Sequence, residues 1–264
     1  MSAGILPGAE RKSQCLHDGA LALGISSSRP GRTVLVTGGV RRIGRAICET
    51  LAARGWSVVV HSRRADDPDA SALAERLGGI ALSADLSEPL AAAHLFQAAC
   101  DVAPDISAIV NNAAVFHPGD GLPPETVARI MRINAEAPER LTTLLGLRLM
   151  EHPPFHGAVV NLLDCRVVPP SQTADTPYMA SKRTLRDATL KCAGLFASSL
   201  RVNAVAPGPV LPPVGAGVRV PGGDILLPAR PTPQDVADAV AFLLDAPSIT
   251  GQILAVDSGQ SLMV

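Results

Sequence analysis

From Thr33 to Val256 the chain repeats one rhythm, a short β-branched run followed by an Ala- and Leu-rich stretch of helical length. Val34-Leu35-Val36 precedes Ile43–Arg54, Val58-Val59-Val60 precedes Asp69–Leu77, Ile80–Ser83 precedes Pro89–Cys100, and Ile106–Val110 follows. The second half continues with Ala158–Leu162, a helix through Tyr178, Arg201–Val205, a helix from Gln234 to Leu244, and Ile253–Val256. Strands apolar on both faces and separated by helices imply a parallel sheet, because each parallel crossover places a helix over one face. The predicted fold is α/β, a doubly wound parallel sheet of about seven strands in a single domain, with ligand beyond the strands' carboxyl ends.

Composition narrows the function. The 264 residues are 47% hydrophobic, enough for one large core, and 23 Lys+Arg against 24 Asp+Glu leave a formal net charge of −1. That balance argues against nucleic acid or an anionic membrane surface as partner and points to a small molecule. The five cysteines (Cys15, Cys48, Cys100, Cys165 and Cys192) include no C-x-x-C pair. Free thiols in a reducing cytoplasm are expected, with no metal, and Cys165 reads as a small buried hydrophobe sooner than a redox centre. No apolar run reaches the roughly 18 residues of a membrane span. Residues 1–30 lack periodicity and a convincing cleavage pattern, so a flexible N-terminal extension is expected ahead of a folded domain over 31–264.

The first strand runs into Thr37-Gly38-Gly39-Val40-Arg41-Arg42-Ile43-Gly44 and then directly into a helix. Gly38 permits a tight turn and Gly44 a close helix–strand approach, so the helix amino terminus can face a pyrophosphate. After the second strand, where an NAD site usually places an acid for the ribose hydroxyls, stand Ser62, Arg63 and Arg64. Guanidinium forks bind phosphate bidentately, which favours a 2′-phosphate and hence NADPH; a solvated basic loop is the alternative.

Tyr178, the single tyrosine, stands four positions before Lys182 in Thr176-Pro177-Tyr178-Met179-Ala180-Ser181-Lys182. On a helix the two share one face, and the cation is expected to lower the phenol's pKa, as suits a proton donor. An ordinary half-buried helical pair has the same spacing.

Thr37–Gly44, Asn111-Asn112-Ala113-Ala114, Asn134, Tyr178/Lys182 and Arg201–Gly208 occur in the order of the short-chain dehydrogenase/reductase family, which this chain resembles over about residues 32 to 260. The resemblance implies a Rossmann-like NADP-binding domain. Its cofactor contacts fall on Gly38, Arg41, Arg42, Ile43, Gly44, Asp85, Leu86, Asn112, Ala113, Ala114, Tyr178, Lys182, Pro207 and Gly208, besides Ser62, Arg63 and Arg64. Asp85 would touch the adenine ring, or it caps the next helix. Lys182 would bind the nicotinamide ribose, and Asn134 would support a water linking Lys182 to solvent, or it bonds to backbone as a helix-interior Asn. The family also implies a tetramer built on the helix of Tyr178 and the Gly251–Leu262 region.

Two departures resemble pteridine reductases and the related dihydromonapterin reductases: Arg42 replaces the middle glycine of the first turn, and Asp164 replaces the usual catalytic serine. Phe116 matches the aromatic that stacks on the pterin in those enzymes, whereas Ala114 stands where they often carry Ser. A carboxyl at Asp164 can pair with the N–H-rich edge of a pterin or pass a proton to a ring nitrogen. Direct donation near neutral pH would need its pKa raised. Otherwise it orients Tyr178 and a water, or it is only a turn residue.

Beyond Gly208 the family's nicotinamide-binding Thr is missing, and Pro209-Val210-Leu211-Pro212-Pro213 begins a Gly/Pro-rich stretch to Pro233. A short extended flap is expected, with backbone of Gly208 to Leu211, Val210 included, replacing the Thr contact. The substrate is expected against Arg42, Phe116, Asp164, Tyr178 and Leu211. Three functions compete: NADPH-dependent reduction of dihydropterins or pterins to tetrahydropterins, placing the protein in folate metabolism; reduction of a 3-oxoacyl thioester or small ketone; and NADPH binding without turnover.

Overall fold

The computed structural model describes residues 32–117, 119–151, 156–168, 175–212 and 225–263. The expected extension over 1–30, and most of the stretch after Pro212, lie outside them.

Strands β1 (Thr33–Thr37), β2 (Ser57–Ser62), β3 (Ile80–Ser83), β4 (Ile106–Asn111), β5 (Gly157–Leu162), β6 (Leu200–Pro207) and β7 (Ile253–Val256) form one sheet in the order β3-β2-β1-β4-β5-β6-β7. Every pairing is parallel. The order reverses between β1 and β4, which opens a crevice beyond their carboxyl ends.

Side chains alternate across each strand, so Val34 and Val36 enter one apolar layer and Leu35 the other. On the first face α1 (Arg42–Ala53), α2 (Pro68–Leu77) and α7 (Pro233–Asp245) bury Ile47, Leu51, Leu73 and Val240. On the second, α3 (Ala91–Val102), α5 (Ala137–Glu151) and α6 (Pro177–Leu195) bury Leu95, Leu141, Leu145 and Cys192, with Phe196 just past α6. Each fully buried Leu or Phe contributes about 1.5–3 kcal/mol. Gly146 of α5 lets Phe196 sit against bare backbone, since a Cβ there would come within 2.6 Å of the ring.

Helix α4 (Pro124–Met131) passes through a π turn at Arg132–Glu136 into α5, an arrangement that apolar spacing does not announce. Buried amides tie this layer to the sheet: Asn111 Nδ2 donates to Asn161 Oδ1 at 2.8 Å, and Asn161 Nδ2 donates to Thr189 of α6 at 2.8 Å. Arg201 and Asn203 of the Arg201–Gly208 motif are structural. Arg201 donates to the carbonyls of Leu243 and Leu244 at the end of α7, and Asn203 braces Ile249 and Gln252.

Candidate active site

The first turn is shaped by close approach. Gly38 has φ +62°, and a Cβ on Gly44 would lie 2.1 Å from the Gly38 carbonyl oxygen. Asn112 Nδ2 donates to the carbonyls of Thr37 and Gly38 at 3.0 and 2.9 Å, while Thr37 Oγ1 accepts from the amides of Asn112 and Ala113. The turns after β1 and β4 are thus stapled together at the switch in strand order. Helix α1 opens there with no side-chain cap and no acid in its first turn. Its first residues, Arg42, Ile43 and Gly44, line a cleft of about 400 Å³. An uncapped helix start with glycines that admit close backbone approach fits a dinucleotide pyrophosphate.

Gly38, Arg41, Arg42, Ile43, Gly44 and Arg63 line this cleft from the β1 and β2 side. Asp85, Leu86, Asn112, Ala113 and Ala114 line it from the other. Arg41 is engaged, donating to Asp69 at 2.8 Å, with Asp67 at 3.6 Å. Ser62 does not line the cleft; its buried hydroxyl donates to the Arg64 carbonyl at 2.8 Å and shapes the loop, and Arg64 lies outside the lining as well. Asp85 caps no helix, since α3 starts at Ala91; it accepts from the amide and hydroxyl of Ser87. Burial pushes its pKa up, but the Ser87 bonds, Arg129 and Arg63 outweigh this and hold it below the ordinary range.

Five lining residues, His61, Ala84, Val115, Arg129 and Ile133, stand outside the expected site, and two of them carry polar groups of interest. Arg129 reaches the cleft from α4, whose position could not be read locally. His61, buried in β2, accepts from the Gly38 amide at Nδ1 (3.1 Å) and faces the Ala84 carbonyl with Nε2 at 2.9 Å. A carbonyl only accepts, so the proton sits on Nε2. Burial pushes the pKa of His61 down, which keeps this neutral tautomer as a brace of the turn.

The second constellation gathers past the end of β5. Thr176 caps α6 by accepting from Met179, Pro177 takes the first helical position, and Tyr178 follows. Tyr178 Oη donates to Asp164 Oδ2 at 3.2 Å. Lys182, one turn on and buried, donates from Nζ to the Leu162 carbonyl at 2.7 Å, and its nitrogen lies 5.9 Å from the Tyr178 ring centroid. Phe116 meets the Tyr178 ring edge-on, with centroids 4.9 Å apart and planes at 85°. It is 47% exposed, so the ring is not lost in the core and remains accessible to a partner.

One expectation is corrected. The phenol's pKa is not lowered: burial first, and then the Asp164 carboxylate, push it well above its ordinary value, while the Lys182 ammonium donates to a carbonyl and not to the phenol. For Asp164 the sequence left donation and orientation both open. Burial pushes its pKa up, but Arg166 outweighs this and holds the carboxyl below the ordinary range, which favours the orienting role. Arg166, absent from the expected site, donates Nε to Oδ1 and Nη2 to Oδ2 of Asp164, both at 2.8 Å. Its spacing of two residues from Asp164 was the only available signal.

Asn134 sits in the π turn, fully buried. Its side chain accepts from the Val115 amide at 2.8 Å and donates to the Val115 carbonyl at 2.9 Å and to Ser181 Oγ at 3.1 Å. It therefore clamps the strand-end segment that carries Phe116. Past Pro207, Gly208 packs against Asp257, Val210 joins the core, and Leu211 is half-buried. Pro207, Gly208, Val210 and Leu211 lie outside the lining of the first cleft, as do Tyr178 and Lys182. Arg42, with φ +57°, crosses to this segment and donates to the Pro212 carbonyl at 2.6 Å. Cys165 is buried, and burial pushes its thiol up to about 12, which leaves it inert.

The family described as Enoyl-(Acyl carrier protein) reductase matches residues 38–261. The chain belongs to the short-chain dehydrogenase/reductase family. It is 30% identical over 239 residues to a dihydromonapterin reductase of Enterobacter sp. (strain 638), covering 88% of this chain and 98% of that one. It is 31% identical over 246 residues to carbonyl reductase family member 4 of Danio rerio, covering 88% and 99%. Among solved structures, FolM alternative dihydrofolate reductase 1 of Brucella canis complexed with NADP is 34% identical with a TM-score of 0.78, covering 89% of this chain and 97% of that one. The chain is accordingly an oxidoreductase of this family with pterin-reductase relatives.

Proposed function

We propose that the protein reduces dihydropterins or pterins to tetrahydropterins with NADPH. The carrying observation is the meeting of Asp164 and Tyr178 at 3.2 Å, with the half-exposed ring of Phe116 against the phenol. An ionised carboxylate beside the phenol suits a nitrogen-rich ring better than a simple ketone, which needs only neutral donors. NADPH would be held by the amide groups at the start of α1, by Gly38 and Gly44, and by Arg42 and Arg63; it supplies the hydride. Arg63 in the cleft, and Ser62 at the end of β2 where an NAD site usually places an acid, favour the 2′-phosphate form. Tyr178 holds the proton for the substrate ring nitrogen, Asp164 orients the phenol, and Lys182 steadies the cofactor ribose. The NADP complexes among its structural neighbours and the dihydromonapterin reductases among its relatives support the same reading.

A cytoplasmic homotetramer is part of the proposal. The four described cysteines are free, and α5 and α6 each expose large apolar side chains, Leu147 and Met150 on one and Leu190 and Leu195 on the other. No helix among the described residues is long and apolar enough to cross a membrane.

Steady-state rates with a set of dihydropterins, dihydrofolate, oxidised pterins and a β-keto thioester, each with NADPH and NADH, test the proposal. Faster turnover of a dihydropterin than of the thioester, with NADPH preferred, is expected. Turnover of the thioester alone would make it a carbonyl reductase, and NADPH binding without turnover of any substrate would make it a sensor.

A further inference from the structure

Asp164 has its acceptor capacity filled in an unusual way. A carboxylate offers about four lone-pair sites. Oδ1 takes the Arg166 backbone amide at 3.0 Å and Arg166 Nε at 2.8 Å. Oδ2 takes Arg166 Nη2 at 2.8 Å and Tyr178 Oη at 3.2 Å. Three of the four contacts come from one residue, and the fourth is the phenol. The arrangement is locally enforced: Asp164 caps the short 3-10 turn Cys165–Val167, which brings the guanidinium of Arg166 back onto the carboxylate it follows. The same guanidinium carbon lies 5.9 Å from the Tyr178 ring centroid, so Arg166 binds one member of the pair and sits over the ring of the other.

We propose that Arg166 is a positioning residue that divides the labour of the Asp164–Tyr178 pair, fixing Asp164 as acceptor only and leaving the transferable proton on Tyr178. This rests on the reading of Tyr178 and Asp164 as the proton-delivery site. In the step it governs, hydride reaches a ring carbon with both bonding electrons, and the C=N bond becomes C–N. The ring nitrogen takes the proton from Tyr178, and the phenolate left behind regains one from solvent. With Arg166 in place the carboxylate cannot supply that proton, because it carries none. The ion pair also explains how a carboxylate that is only 14% exposed remains charged without a metal or a second base.

The single tyrosine makes the proposal testable without any substrate. Protein labelled with 13C at the tyrosine ring carbon bearing the hydroxyl gives one resonance, which reports the charge of the phenol's hydrogen-bond partner. In the native chain that resonance is expected to stay flat between about pH 5 and 7, since Asp164 is ionised throughout and the nearby Lys182 loses its proton only near about 8. In Arg166→Gln the unopposed burial of Asp164 should bring an inflection into that window, and in Asp164→Asn/Arg166→Gln the inflection should vanish. Arg166→Lys should flatten the curve again by restoring the charge, while leaving pterin turnover reduced at least tenfold for want of the fork. Cooperative thermal unfolding and NADP binding within about twofold of native show that each variant is folded. A flat resonance in a folded Arg166→Gln, or an inflection that survives loss of the carboxyl, overturns the role of Arg166. If the inflection comes and goes as expected but no pterin is turned over, Arg166 keeps its role and the substrate reading is what fails.

Discussion

Asn134 holds Val115 by both of its backbone groups, accepting from the amide at 2.8 Å and donating to the carbonyl at 2.9 Å. This two-point clamp across 19 positions makes the π turn and the segment after β4 one rigid unit, with Phe116 as its next residue. Asn134→Ala should leave the part-buried Val115 groups without their partner and destabilise the fold by about 1 kcal/mol or more. Urea unfolding of the variant measures that, and pterin turnover should fall as Phe116 loses its position.

Gly44→Ala tests the dinucleotide cradle. A methyl 2.1 Å from the Gly38 carbonyl and 2.6 Å from Asn112 Nδ2 cannot be accommodated without moving the first turn. NADP binding followed by fluorescence titration should weaken by about tenfold or more. Unchanged affinity would show that the cofactor lies elsewhere.

Arg63→Ala separates the two nicotinamide cofactors. A charge-assisted contact to the 2′-phosphate is worth about 1.5–3 kcal/mol, so NADPH should bind roughly tenfold to a hundredfold more weakly. NADH lacks that phosphate, and its affinity should hardly change. Parallel weakening of both would assign Arg63 to the shared part of the cofactor.

Asp164→Ser should cut pterin turnover at least tenfold and leave NADPH binding nearly intact, the pattern expected when a contact made in the transition state is lost. Single-turnover rates beside equilibrium cofactor binding measure the two effects separately. Unchanged turnover would remove the special role of the carboxylate.

Lys182 has its pKa lowered from 10.5 to about 8 by burial, which the Asp164 charge only partly offsets. Below that pH the ammonium is present; above it the charge goes. The plot of kcat/KM against pH, which reports the free enzyme, should therefore turn down near about 8. Stability carries the opposite sign. From about 8 to 10.5 the unfolded chain keeps a proton that the folded chain has shed, so stability relative to Lys182→Met should rise with pH across that window. Denaturant midpoints at a series of pH values read this directly.

The pattern of apolar runs was enough to announce a parallel, doubly wound sheet, because strand and helix periodicities are set by near neighbours in the chain and by the need to cover two faces. The Gly38–Gly44 turn and the Tyr178/Lys182 spacing were legible for the same reason: glycine sterics and one helical turn are local geometry. Helix α4 with Arg129, the brace from His61 to Gly38, and the hold of Arg42 on Pro212 were not legible, since each joins residues brought together only by the crossovers. The charge states were decided at the same level. Local spacing suggested a phenol acidified by Lys182 and left open whether Asp164 donates or orients. The folded chain instead turns Lys182 to the Leu162 carbonyl and Arg166 to Asp164, and burial raises the phenol's pKa. A pKa depends on which dipoles and ions surround a group and how much water is excluded, and only the tertiary structure determines those.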